Sequence, residues 1–99
     1  MTIENLKSNI RKIVDDYPIK RVSLFGSRAK GTNREDSDVD LIMEFLMPVS
    51  LLTLSMIKVK LEEMLNVGVD IIHGPLKETD LIEVGKVVEL CETWGSNNY

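Results

Sequence analysis

Two aspartates lie two positions apart at the start of an apolar segment, in Asp38-Val39-Asp40-Leu41-Ile42-Met43-Glu44-Phe45. Side chains alternate between the two faces of a β-strand, so Asp38 and Asp40 would lie on one face while Val39 and Leu41 pack on the other. Two carboxylates this close repel each other unless a cation lies between them. A solvated acidic loop is the alternative interpretation, but the apolar residues that follow favour a strand and a site on a sheet.

Apolar periodicity and turn residues divide the rest of the chain into helices and strands. The first half of the chain is predicted to form a helix over residues 3–15, a strand over 21–25, a helix-like turn after Gly26 and a strand over 38–45. The second half is predicted to form a helix from an N-cap at Ser50 to residue 65, a strand over 67–72 and a helix from residue 79 or 80 through Cys91. The expected architecture is one sheet covered by helices, in a single domain spanning residues 1–99.

Composition limits the kinds of site and substrate. With one cysteine and one histidine the chain cannot form an internal disulfide or supply a zinc site, so any bound metal is expected to have oxygen ligands. The net charge of −4 argues against direct nucleic-acid binding, yet carboxylate-held divalent ions would still attract a small anion. No segment approaches the roughly 20 apolar residues that span a bilayer, and there is no signal-peptide pattern, so a soluble, cytoplasmic protein is expected.

A glycine-serine pair follows the first predicted strand, in Phe25-Gly26-Ser27-Arg28-Ala29-Lys30-Gly31. Backbone N–H groups at a helix start attract phosphate, the missing side chain of Gly26 permits close approach, and the Ser27 hydroxyl adds a donor. A plain strand-to-helix turn is the alternative, since short glycine motifs discriminate weakly. Arg28 and Lys30 would either help neutralise the phosphate charge or simply be solvated.

A third acid, Asp70, is set among apolar residues in Val69-Asp70-Ile71-Ile72. Burying a lone carboxylate is costly, so Asp70 lies either at a strand end in water or beside a cation. If its strand neighbours that of Asp38, the three carboxylates would be able to hold two metal ions about 3.5–4 Å apart, as in displacement reactions at phosphorus. Mg²⁺ suits such a site, because it takes oxygen ligands and usually keeps substrate phosphates in its shell.

Taken together, Gly26-Ser27, ten intervening residues, Asp38-Val39-Asp40 and the later Asp70 resemble the signature of the DNA polymerase β-type nucleotidyltransferase superfamily. The resemblance covers nearly the whole chain and is closest to the minimal prokaryotic members, which are encoded beside a HEPN-domain protein as toxin–antitoxin pairs. It implies an α+β fold with a small mixed sheet flanked by helices, similar to the polymerase β palm.

The resemblance also implies roles for individual residues. Those matching Gly26 and Ser27 hold the triphosphate, and we add Arg28 as a third nucleotide-binding residue. Residues matching Asp38 and Asp40 bind two Mg²⁺ ions, while Asp70 binds the catalytic metal and helps to deprotonate the acceptor. The expected reaction is transfer of AMP from ATP to a hydroxyl on a partner protein, a HEPN-domain toxin for which this chain is the antitoxin.

Two other functions are left open. One is a catalytically silent antitoxin that neutralises its toxin by covering a surface, although the intact Asp38, Asp40 and Asp70 favour catalysis. The other is transfer to a small acceptor molecule, which the lack of a second domain to form an acceptor pocket disfavours.

Residues towards the carboxyl end carry lesser expectations. His73 is expected to be structural or exposed, because three carboxylates already account for metal binding and proton transfer. Cys91 is expected to be a small core residue of the last helix. Leu90, Trp94 and Tyr99 either cover the core or contribute to a docking surface for the partner protein.

Overall fold

The computed structural model describes residues 1–75, 77 and 85–92. Its four strands form one sheet in the order β3-β2-β1-β4, in which β2 and β3 are parallel and the other neighbouring pairs are antiparallel. This confirms the expected α+β fold with a small mixed sheet. The elements in chain order are α1 (Ile3–Val14), β1 (Ile19–Phe25), α2 (Ser27–Lys30), β2 (Val39–Phe45), α3 (Leu51–Leu65), β3 (Val69–His73) and β4 (Val88–Glu92).

Side-chain caps begin the two long helices where the sequence predicts them. Thr2 Oγ1 accepts a hydrogen bond from Asn5 N at 3.1 Å, and Ser50 Oγ accepts one from Thr53 N at 3.2 Å. α3 ends at Asn66, whose left-handed backbone, with φ of 58°, stops the helix before β3. Within the part of the chain that the structure describes, neither these helices nor α2 is long and apolar enough to cross a membrane.

The hydrophobic core lies between one face of the sheet and the helices α1 and α3. Because strand side chains alternate, the burial of Val39, Leu41 and Met43 on β2 leaves Asp40 on the opposite face. The helices therefore cover one face of the sheet, and the acids of β2 and β3 project from the other. The main core residues are Leu6, Ile10, Ile13, Val22, Leu24, Val39, Leu41, Met43, Ile57, Leu61, Leu65, Val69 and Leu90.

The predicted last helix is wrong over residues 88–92, where the chain forms β4. β4 pairs antiparallel with β1, so that Cys91 lies opposite Val22 and Val88 lies opposite Leu24. In so short an apolar run, helical spacing and strand alternation both fit, and pairing with the edge of β1 decides between them. Cys91 is therefore a half-buried strand residue. The predicted start of that helix, at residue 79 or 80, lies outside the described residues.

The structure also tests the predictions for Leu90 and His73. Leu90 is buried on β4 with 3 % of its surface exposed, so the suggestion that it contributes to a docking surface is wrong. His73 is exposed at the end of β3, as expected, and it stacks on Phe45 with 5.4 Å between the ring centroids. Trp94 and Tyr99 lie outside the described residues.

Candidate active site

Asp40 and Asp70 come from two neighbouring strands, and Asp38 lies just before the first of them. Asp40 and Asp70 are register partners across the parallel pair β2 and β3, and Asp38 directly precedes β2. Because both partners are the second residue of their strand, their side chains project from the same face at the same end of the sheet. The condition on which the three-acid cluster depended, that the strand of Asp70 neighbours that of Asp38, is therefore met.

The glycine-serine turn lies at this same end of the sheet. Phe25, the last residue of β1, is the register partner of Asp40, and the chain then turns through Gly26 into α2. α2 is a single helical turn in which Lys30 N donates to Gly26 O at 3.2 Å. The structure therefore brings the predicted glycine-serine turn and the predicted carboxylates together.

Asp40 is the least exposed of the three acids. Its partial burial raises the pKa of its carboxyl group above the ordinary value, and the negative charges of Asp70 and Asp38 raise that pKa further. Asp38 and Asp70 are exposed. Both burial and repulsion penalise the ionised form of Asp40, so a cation among the three carboxylates would lower the electrostatic energy of the site.

The donor set suits Mg²⁺, because all three side chains offer the oxygen ligands that this ion prefers. Among the residues that the structure describes, no three acidic, histidine or cysteine side chains are already gathered as a metal-binding group. The backbones of Asp40 and Asp70 lie on paired strands, which are about 4.8 Å apart in any sheet. Side-chain rotation would therefore bring their oxygens to a common ion, and the residues fit the metal.

Two glycines lie directly against the carboxylates. A Cβ atom added at Gly26 would collide with Asp40 Oδ2, and one added at Gly68 would lie 2.5 Å from Asp38 Oδ1. Gly26 also has a φ of +76°, which L side chains rarely adopt. The sequence interpretation explained Gly26 by phosphate access, whereas the structure shows that it makes room for Asp40. Gly68 was missed, although its position two residues before Asp70 was an available signal.

Arg28 is the most buried of the candidate nucleotide-binding residues, with 8 % of its surface exposed. Its guanidinium group donates hydrogen bonds to the main-chain carbonyl groups of Glu35 and Ser37, in the loop that leads to Asp38. Lys30, two residues further along α2, is exposed. The two cations of this motif therefore have different surroundings, and only Lys30 is solvated as the alternative interpretation expected.

Comparison with known proteins identifies relatives across most of the chain. The sequence profile of a family described as a nucleotidyltransferase domain matches residues 7–92. A protein of Methanocaldococcus jannaschii, provisionally named protein adenylyltransferase MJ0435, is 39% identical over 93 residues, which cover 89% of this chain and 100% of that protein.

Solved structures share the fold. One, of a protein provisionally named a minimal nucleotidyltransferase, is 34% identical with a TM-score of 0.68 and covers 85% of this chain and 90% of that one. A chain from the complex of a tri-AMPylated Shewanella oneidensis HEPN toxin with MNT antitoxin has a TM-score of 0.69 at 18% identity, over 97% of this chain and 77% of that one. By its profile and its relatives, this chain belongs to the nucleotidyltransferase domain family.

Proposed function

We propose that this protein transfers AMP from ATP to a hydroxyl group on a partner protein, with Mg²⁺ held by Asp38, Asp40 and Asp70. The observation that carries the proposal is the register of β2 and β3, which sets Asp70 beside Asp40 at the end of the sheet that holds the glycine-serine turn. The provisional name of the Methanocaldococcus jannaschii relative, protein adenylyltransferase, supports the type of reaction.

The residues of the site divide the tasks of this mechanism among them. The turn at Gly26 and Ser27 would hold the triphosphate, Asp38 and Asp40 would hold both metal ions, and Asp70 would hold the catalytic one. Mg²⁺, when bound, neutralises the negative charge that develops around the α-phosphorus. The acceptor oxygen forms a bond to that phosphorus as the bond to the bridging oxygen breaks, which releases pyrophosphate. A carboxylate oxygen of Asp70, which is exposed and so within reach of an acceptor, receives the hydroxyl proton.

A HEPN-type toxin is the partner protein that we propose as the acceptor. The sequence resembles the antitoxins of such pairs, and the fold is shared with a chain from a complex in which the HEPN toxin carries AMP. The face of the sheet opposite α1 and α3 bears Asp40 and Asp70, and a folded acceptor would approach it at the end where Asp70 is exposed.

Mass spectrometry of the partner tests the proposal. This chain is co-expressed with the protein encoded beside it, and the mass of that protein is compared between wild type and the double variant Asp38→Asn, Asp40→Asn. We expect the mass of AMP to be added by wild type only. Neutralisation of the toxin by wild type without any change in mass would contradict transfer and would instead indicate an antitoxin that acts by binding.

A further inference from the structure

Arg28 is a charged residue in the interior of a small domain. It lies on the single turn of α2, beside the glycine-serine pair, yet only 8 % of its surface is exposed. Burying a guanidinium group is costly unless its N–H groups find acceptors. The acceptors that Arg28 uses therefore indicate its role.

Its hydrogen bonds converge on the loop that leads into Asp38. Nε and Nη2 both donate to Ser37 O, at 3.2 and 2.7 Å, and Nη2 also donates to Glu35 O at 3.0 Å. Two N–H groups of one planar guanidinium group donate hydrogen bonds to a single carbonyl oxygen, a geometry that the ammonium group of lysine does not reproduce. Since that carbonyl belongs to the peptide bond between Ser37 and Asp38, its position determines where the backbone of Asp38 lies.

Further contacts hold the two sides of Asp38. Before it, Arg34 N donates to Ser37 Oγ at 2.8 Å and Ser37 N donates to Arg34 O at 3.2 Å, which closes the loop. After it, Val39 N donates to Gly68 O at 2.8 Å, and Gly68 lies directly against the Asp38 carboxylate. Asp38 is exposed, so these backbone contacts and Gly68 hold it in place while its oxygens stay accessible.

We propose that Arg28 is a positioning residue that holds Asp38 at the metal site and does not bind the triphosphate. The inference rests on the proposed function, and it replaces the assignment of Arg28 to nucleotide binding. Since Nε and Nη2 donate to carbonyl groups of the loop, the guanidinium group is directed at the backbone before Asp38. Loss of these bonds would free Asp38 while leaving Gly26 and Ser27 unchanged.

Metal binding without nucleotide separates the two roles. The affinity for Mn²⁺, a paramagnetic substitute for Mg²⁺, is measured by electron paramagnetic resonance for wild type, Arg28→Met and Arg28→Lys. The matched control is Arg34→Met, which removes an exposed cation from the same loop. We expect both Arg28 variants to bind Mn²⁺ about 10- to 100-fold more weakly, as is typical when a group that orients a metal ligand is removed. Arg34→Met should bind Mn²⁺ like wild type.

Arg28→Lys keeps the charge, so an unchanged Mn²⁺ affinity in this variant would overturn the proposal even if Arg28→Met fails to fold. Calorimetry with ATP in the presence of EDTA gives a second readout. We expect Arg28→Lys to bind metal-free ATP with wild-type affinity. A loss of ATP affinity with unchanged Mn²⁺ affinity would instead show that Arg28 binds the triphosphate. If the wild-type protein itself bound no Mn²⁺, the proposed metal site would be wrong, and so would the proposed role of Arg28 at that site.

Discussion

Asp40 is an acid whose pKa rises on folding, because it is partly buried and faces Asp70 and Asp38. Such a group stabilises the folded state at pH values below its ordinary pKa, and this contribution is lost as the pH rises through the raised pKa. At neutral pH, which lies above the ordinary carboxyl pKa, Asp40 therefore opposes folding of the metal-free chain. The proposed metal ion would offset this cost on binding.

We expect Asp40→Asn to raise the thermal midpoint of the metal-free protein by a few degrees at pH 7. The gain should shrink as the pH falls from the raised pKa of Asp40 to below the ordinary carboxyl pKa of about 4, where Asp40 is protonated in both folded and unfolded chains. Calorimetric melting in EDTA across this pH range measures the effect. Asp36→Asn, at an exposed loop acid, is the control and should show no such gain. A lower midpoint for Asp40→Asn at pH 7 would show that Asp40 supports the fold.

Gly68 is expected to be required for the position of Asp38. A methyl group at this position would lie 2.5 Å from Asp38 Oδ1, so Gly68→Ala should displace that carboxylate and weaken Mn²⁺ binding about tenfold. Gly31→Ala should instead lower stability and leave Mn²⁺ affinity unchanged. Nothing lies within 4 Å of an added Cβ there, but its φ of +76° makes the substitution cost about 1 kcal/mol of stability. Equal Mn²⁺ affinity in the two variants would contradict the contact between Gly68 and Asp38.

At the scale of elements, Arg21 joins three strands. From β1 its Nη1 lies 3.2 Å from Glu44 Oε2 on β2, its Nε lies 3.2 Å from Glu89 Oε1 on β4, and its Nε also donates to Glu92 Oε2 at 2.8 Å. The hydrogen bond from Arg21 lowers the pKa of the Glu92 carboxyl group. That contribution to stability is therefore present above the ordinary glutamate pKa and lost as the pH falls through the lowered value.

We expect Arg21→Met to lower the thermal midpoint, because it leaves Glu44, Glu89 and Glu92 close together without their shared cation. The effect should be larger in low salt than in high salt, since Arg21 is partly exposed and salt screens such charges. Lys60→Met, which breaks the 3.2 Å pair with a single acid, Asp16, is the matched control and should cost less. Equal losses in the two variants at low salt would mean that the cluster adds nothing beyond an ordinary surface pair.

For the molecule as a whole, the proposed acceptor protein would bind on the face of the sheet opposite the helices, where Asp40 and Asp70 lie. Ile72 lies two residues after Asp70 on β3, so the two side chains share the face opposite the helices, and 37 % of Ile72 is exposed. Val59 is 53 % exposed on α3, which packs on the covered face. These two apolar residues therefore lie on opposite sides of the sheet.

We expect Ile72→Lys to slow modification of the partner about tenfold while Mn²⁺ affinity stays unchanged, because the charge would obstruct docking of the acceptor and not the metal ligands. Val59→Lys should leave the rate of modification unchanged. Single-turnover transfer of labelled AMP to the co-purified partner measures both rates. The reverse pattern, with Val59→Lys impaired and Ile72→Lys active, would place the acceptor on the helical face.

The sequence by itself determined those features that depend on near neighbours along the chain. Asp40 lies between the buried Val39 and Leu41 because strand side chains have a period of two, whereas Asp38, predicted to begin the strand, lies just before it. Thr2 and Ser50 cap their helices through hydrogen bonds within three residues. The spacing of the glycine-serine pair and the acids was also enough to indicate the family, since it reflects the local geometry of a strand, a turn and a second strand.

Only the tertiary structure decided which distant segments meet. The sequence raised the pairing of the Asp38 and Asp70 strands as a condition, and strand pairing in the folded chain met it. Residues 88–92 fit either a helix or a strand by spacing, and the edge of β1 selected the strand. Arg28 looked like a solvated or phosphate-binding cation, because nothing in its local sequence shows that the carbonyl groups of Glu35 and Ser37 surround it. Backbone acceptors carry no sequence signature, so contacts of this kind become visible only when the chain is folded.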